Sequence, residues 1–234
     1  MKKLDLSDLE TVLRESFDAY DTFGPRSPKK LTPVHGYFAH RISEASSKPY
    51  EVVANGGPHH YEAKINGAFY TKTVDIVVAR QGTIRKSNTA QFSPKDVALC
   101  IGVKIISSNY HQNKNNYFEG MIGETANIQA TGTPYGQIIA LPVTIPYYKN
   151  SAGGGKHVDH WETISGSELE QYVELQASIE GPHRPAFIAV VLFERNYETN
   201  SIRILPGPEV EQLNRRAVKF LSLDSAWEKI LGYL

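Results

Sequence analysis

The segments Thr71-Lys-Thr-Val-Asp75-Ile-Val-Val-Ala-Arg80 and Val97-Ala-Leu-Cys-Ile-Gly102-Val-Lys104-Ile-Ile106 decide how this chain is read. Both are apolar runs rich in β-branched residues, the composition of strands buried on two faces. Each carries one charge inside its apolar part, Asp75 in the first and Lys104 in the second. A buried carboxylate is costly unless a cation or donors compensate it, and a lysine flanked by apolar residues needs an acid or an opening. Two adjacent strands would bring Asp75 and Lys104 to one edge of a sheet, either as a structural ion pair or as groups that act on a ligand. Their separation, 104 − 75 = 29 positions, leaves room for the connection.

Outward from this pair, the pattern is helix, strands, helix. Leu4, Leu6, Leu9, Leu13, Phe17 and Tyr20 recur at helical spacing behind Asp5 or Ser7 as a cap, and Gly24-Pro25 ends the run. A second amphipathic helix is expected over residues 33–45. Residues 50–54 form a short strand, and residues 61–65 and 68–79 form a hairpin about Asn66-Gly67, a strong turn signal. Residues 109–130 are expected to be helical, with Phe118, Met121, Ile122 and Ala126 on one face. Residues 137–145 and 186–193 are further strands, 202–205 a short edge strand, 167–175 a helix, and 209–234 one or two helices. The expected fold is α/β (α+β), a central mixed sheet of four to six strands flanked by helices. One domain spans 1–234: N-terminal helices in 1–46, a sheet core in 50–205 with a flexible loop at 149–156, and C-terminal helices in 207–234.

A chain of 234 residues can bury a core without staples, and its single cysteine, Cys100, forbids an internal disulfide. No stretch of about 18 apolar residues and no signal-peptide pattern is present, so the expectation is a cytoplasmic protein with no membrane span. Net charge is zero, but it is unevenly spread. Residues 80–116 hold six basic side chains against Asp96 alone, +5, and residues 156–180 hold one against six acids, −5. That asymmetry permits one cationic surface facing an anion such as nucleic acid; ordinary solvated faces are the plainer reading. Phosphate-loop, dinucleotide-binding and serine-hydrolase patterns are absent. His157-Val-Asp159-His160 lacks the further ligands of a zinc site.

The Asp-strand followed by a Lys-strand resembles the PD-(D/E)XK nuclease superfamily, which includes most type II restriction endonucleases. The resemblance covers about residues 71–145 and implies a restriction-endonuclease-like core. It implies that Asp75 and a second acid bind Mg²⁺ while Lys104 positions or activates the attacking water. In that family the second acid lies two residues before the lysine. Here that position is Gly102, which cannot bind a metal, and Val74 stands where the family has proline. Some members carry the acid on the following helix, where this chain offers Glu119 and Glu124. The expectation is Glu119 for catalysis and metal binding, by its spacing from Lys104, with Glu124 as the alternative. Five residues turn a helix by ~500°, so the two cannot both face Asp75 easily. Glu62, in Glu62-Ala-Lys64, is a further alternative acid.

Asn109, His111, Gln112, Lys114 and Asn116 are of the types that contact phosphates and base edges, and are the candidate DNA-binding residues. The resemblance implies a Mg²⁺-dependent endonuclease of the type II restriction kind, acting on a specific double-stranded DNA site as a homodimer. Alternatives are a sequence-nonspecific defence or repair nuclease of the same fold, and a catalytically inactive nucleic-acid-binding module, which Gly102 favours.

Overall fold

The run of residues 71–80 is two strands, and the break falls at Asp75. The computed structural model describes residues 4–24, 27–46, 49–83, 89–150 and 156–234. Helix α1 (Leu6–Phe23) begins where the Asp5 carboxylate accepts the N–H groups of Ser7 and Asp8, and it ends at Gly24, whose φ is +83°. Such a cap contributes about 1 kcal/mol. Helix α2 (Thr32–Ala45) follows with proline in its first turn. Strands β1 (Tyr50–Ala54), β2 (Glu62–Asn66), β3 (Thr71–Val74), β4 (Ile76–Arg80), β5 (Thr89–Phe92) and β6 (Val97–Ile105) precede helix α3 (Tyr110–Gln129). Then come β7 (Tyr135–Pro142), β8 (Thr144–Asn150), β9 (Lys156–Thr163), α4 (Gly166–Ala177), β10 (Ile188–Arg195) and β11 (Ile202–Ile204). Three short helices close the chain: α5 (Gly207–Leu213), α6 (Arg215–Phe220) and α7 (Leu223–Tyr233).

Six strands form the central sheet in the order β1-β4-β6-β7-β10-β11. The β6–β7 and β7–β10 pairs are parallel and the other three antiparallel. This is the expected α+β architecture, a mixed sheet flanked by helices. The helix α3 serves as the crossover that a parallel β6–β7 pair requires. Successive side chains of each strand point to opposite faces, and both faces are covered. Ile76, Val78, Leu99 and Ile101 pack under α1, α2 and α7, against Leu13, Phe38, Ile42 and Trp227. Val77, Ala79 and Cys100 face the other way, towards Ile65, Phe92 and Ile128. Further along that second face, Ile139, Leu141 and Ile188 meet Met121, Leu169 and Tyr172. Burial on two sides is why these strands read as continuous apolar runs.

Three local expectations change. The 61–79 hairpin is real as a β2–β3 pair, but β3 stays in a small sheet ordered β3-β2-β5 while β4 joins the central one. Its turn is the four residues 67–70 between Asn66 and Thr71, not a two-residue Asn-Gly turn. Gly67 is not at positive φ; it is needed because a Cβ there would lie 2.1 Å from the Asn127 side-chain nitrogen. Of the expected flexible loop at 149–156, Lys149 and Lys156 lie in the β8–β9 hairpin, and Gly153-Gly154-Gly155 fall outside the described residues. The C-terminal segment has three helices where one or two were expected, since Asn214 and Ser222 each start a new one as N-cap.

Candidate active-site cleft

Antiparallel pairing of β4 with β6 sets Ile76 opposite Ile101. The start of β4 therefore meets the far end of β6 at one sheet edge, and Asp75 comes beside Gly102 and Val103. The Asp75 Oδ2 accepts the Val103 N–H at 2.7 Å. That bond explains how an acid survives at the strand break: the backbone of β6 supplies the donor. Asp75 is not deeply buried, since its side chain is 34% exposed, and it opens onto a cleft of about 530 Å³.

Lys104, Lys72, Glu124 and Tyr135 line the same cleft. Glu124 projects from α3 and is the hub of the charge network. Its Oε1 lies 2.8 Å from the Lys72 Nζ and its Oε2 3.7 Å from the Lys104 Nζ. The Tyr135 hydroxyl donates to Oε2 at 3.1 Å. Burial raises the Glu124 pKa, but Lys104, Lys72 and the Tyr135 hydroxyl outweigh it and hold the carboxyl below its ordinary value. Tyr135 responds in the opposite sense. Burial, then the negative charges of Glu124 and Asp75, push its phenol well above the ordinary range, so it remains a donor. Lys30 also lines the cleft. Three lysines against two carboxylates leave a net +1 among these lining groups, which favours an anionic ligand.

There is a physical reason for glycine where the resemblance leads one to expect an acid. In the parallel β6–β7 register Gly102 sits opposite Gln137. A Cβ on Gly102 would lie 2.4 Å from the Tyr135 hydroxyl and 2.7 Å from the Gln137 Oε1. The space an acid would use is filled by the very hydroxyl that donates to Glu124.

The two helix acids separate cleanly, and the preference for Glu119 is reversed. Glu119 is exposed and does not line the cleft. Glu124 lies ~140° away around the helix and points at the sheet. Spacing along the chain carried no information about helix phase, which the packing of Met121 and Ile128 decides. Glu62 is exposed on β2, which pairs in the small sheet, and it does not line the cleft either.

The five candidate DNA-contacting residues divide. Asn109 is held at φ +52° before α3, and its side chain exchanges hydrogen bonds with the Tyr148 backbone at 3.0 and 3.1 Å. Gln112 accepts from the Asn109 amide. His111 lies between Glu162 and Glu168, 3.6 Å from each. Asn109 and His111 tie the β8–β9 hairpin to α3, and the buried Glu162 completes the joint by accepting the N–H groups of Tyr110 and His111. A carboxylate there satisfies orphan donors and complements the helix dipole. Lys114 is half-buried. Asn116 alone of the five lines the cleft.

His35, on α2, was not singled out from sequence. It is 4% exposed, its Nε2 is 3.8 Å from Asp75 Oδ1, and neither ring nitrogen makes a hydrogen bond among the described residues. Burial holds its pKa below the ordinary range, with Asp75 opposing. A histidine inside an apolar helix face is ordinary in sequence; only the fold sets it behind Asp75.

No group of three or more His, Cys, Asp or Glu able to hold a metal occurs among the described residues. No described helix is long and apolar enough to cross a membrane. No family model and no curated protein matches the sequence. Among solved structures, one described as "Structure of E. coli MS115-1 NucC, cAAA-bound form" is similar over 99% of this chain and 99% of that one, at 11% identity and a TM-score of 0.43. A likeness that loose assigns no residue and no activity here.

Proposed function

We propose that this cleft hydrolyses phosphodiester bonds of double-stranded DNA with the help of Mg²⁺, in the manner of a type II restriction endonuclease. The observation that carries the reading is the meeting of Asp75, Glu124, Lys104 and Lys72 in one open cleft, from three separate segments of chain. The donor set fits a hard cation. Mg²⁺ takes oxygen ligands, usually one or two carboxylates with waters for the rest, whereas zinc needs three or four protein ligands. When bound, the ion lowers the pKa of a water and stabilises the leaving oxygen.

The chain's own residues do the rest. Val103 N–H orients Asp75 through Oδ2, and Asp75 and Glu124 are the carboxylates that would hold the cation. Tyr135 holds Glu124 by one oxygen, and Lys72, 2.8 Å from the other, would offer its charge to the substrate phosphate. Lys104 supplies positive charge where the phosphorane develops, the electrostatic support such a transition state needs. Asn116 donates or accepts at the cleft wall. A homodimer would present two such clefts to a two-fold site.

The test is incubation of the purified chain with plasmid and linear DNA plus Mg²⁺. Discrete fragments support a site-specific enzyme, and a smear selects the sequence-nonspecific defence or repair nuclease. Glu124→Gln and Asp75→Ala are expected to lower cleavage by at least 100-fold, on the order of what loss of one electrostatic stabiliser costs. Undiminished cleavage by Glu124→Gln sinks the site. The pairing of Glu124 with two lysines favours a second reading, a structural ion-pair cluster in a non-catalytic nucleic-acid-binding module. Salt-sensitive DNA binding with no cleavage in Mg²⁺ would select it.

A further inference from the structure

The four residues that join β2 to β3 are Gly67-Ala68-Phe69-Tyr70. Phe69 is 79% exposed and Tyr70 50%, and Phe69 has the highest exposure of the large hydrophobic residues described. A loop tip with two exposed aromatics would ordinarily be mobile, yet this one is clamped. Asn127, fully buried on α3, receives the Phe69 and Tyr70 N–H groups on its Oδ1 at 2.9 and 3.2 Å and donates to the Tyr70 carbonyl at 3.0 Å. Its own carbonyl accepts the Ala68 N–H at 2.8 Å, and Gly67 N–H closes the loop onto the Tyr70 carbonyl at 3.1 Å. A Cβ on Gly67 would collide with that same asparagine. The loop is thus built around one buried side chain, and it holds an aromatic ring out into solvent.

Its position is tied to the cleft twice over. Asn127 follows Glu124 by three residues, so one face of α3 carries both the acid and the clamp, about 4.5 Å apart along the axis. On the other side, Lys72 comes three residues after Phe69 and binds Glu124 directly. Three residues of chain span at most about 11 Å. At 3.4 Å per nucleotide along a strand, Phe69 stands within about three base steps of a phosphate held at Lys72. The two strands that carry the loop, β2 and β3, hold Lys64 and Lys72 against Glu62, which lies at the end of β2 away from the loop, a net +1.

We propose that Phe69, supported by Tyr70, is a rigid aromatic wedge that stacks on nucleobases of the nucleic acid whose backbone lies in the cleft. The inference rests on the reading of that cleft as a nucleic-acid site. Every base offers a π-face, so the contact places the strand without reading sequence. The loop backbone that carries the ring is held before binding, so little backbone freedom is lost when a base meets it.

The test uses the full chain carrying Asp75→Ala, without Mg²⁺, titrated into a labelled 25-base-pair duplex and its single strand, each with 2-aminopurine near the centre. Phe69→Ala should weaken binding by roughly 5- to 150-fold, the range for loss of one base–aromatic stack. Tyr70→Ala should weaken it less, and Phe69→Trp should retain affinity and show its added tryptophan emission quenched by the nucleic acid. Because Phe69 is exposed, an unchanged melting temperature is expected for Phe69→Ala. Equal affinity of parent and Phe69→Ala overturns the wedge. So does a concentration-dependent oligomer that Phe69→Ala dissociates, which would make the ring a contact between copies of this chain. Cleavage by the wild-type chain is read separately. Cleavage with no Phe69 effect fails the wedge alone, and Phe69-dependent binding with no cleavage fails the nuclease reading alone.

Discussion

Gly102→Ala pushes a methyl group into the space between β6 and β7. The new carbon would stand 2.4 Å from the Tyr135 hydroxyl and 2.7 Å from the Gln137 Oε1, where ordinary contact begins at 3.4 Å. The overlaps are thus 3.4 − 2.4 = 1.0 Å and 3.4 − 2.7 = 0.7 Å. Neither neighbour can retreat into solvent, since Tyr135 is 1% exposed and Gln137 0%. Overpacking of this kind costs about 1–3 kcal/mol. Gly102 is not at positive φ, so alanine fits the backbone and recovers about 0.4–1 kcal/mol by restricting the unfolded chain. The net expectation is a loss of about 1–2 kcal/mol, or roughly 3–6 °C in melting temperature for a chain of this size.

Tyr135→Phe removes the atom at 2.4 Å and also the hydrogen bond to Glu124, which costs about 0.5–1.5 kcal/mol alone. In the double variant the larger overlap is gone, so the two effects should fall short of additivity by about 1 kcal/mol. Urea unfolding with an unchanged m value is the assay. Additive effects within about 0.3 kcal/mol, or a Gly102→Ala chain as stable as wild type, would refute the claim that the tyrosine occupies the acid's place. By the same geometry Gly102→Glu should lower stability without raising cleavage.

Other outcomes follow from the same structure. Glu119→Gln should cleave DNA like wild type while Glu124→Gln does not, measured side by side on one substrate. Acid stability has a defined sign. His35 and Glu124 both have folded pKa values below their ordinary 6.5 and 4.5, so the unfolded chain binds more protons. Stability is then fully present above those values and falls with pH, first below about 6.5 through His35 and then below about 4.5 through Glu124. Urea midpoints at stepped pH should show this, and His35→Asn should flatten the upper window. Cys100 is fully buried, and burial pushes its thiol far above the ordinary range. A thiol reagent should leave it untouched in the native chain and label it on unfolding. Asn127→Ala should cost about 1–3 kcal/mol by stranding the loop's backbone groups, with loss of hydrogen-exchange protection at Phe69 and Tyr70.

Most strands of the central sheet, the first helices and the presence of Asp75 and Lys104 at neighbouring strands could be read in the chain because they rest on local facts, whereas β5 and β9 could not. Apolar periodicity reports burial over a few residues, and a lone charge in an apolar run must meet compensation nearby in space. The α+β architecture follows from the order of such elements. Tertiary structure decided the rest, for reasons of phase and distance. Helix packing rotated Glu124 to the cleft and Glu119 to solvent, a difference of ~140° that spacing along the chain does not encode. At Asp75 the run divides, β3 pairing locally with β2 and β4 pairing with β1 and β6, most of whose partner residues lie more than twenty positions away. Tyr135 fills the space beside Gly102, His35 lies behind Asp75, and Glu162 caps α3, all through contacts between segments distant in the chain. What the chain determined by itself was which residues must be hidden and which charges need an answer; only the folded contacts decided which side chains answer them.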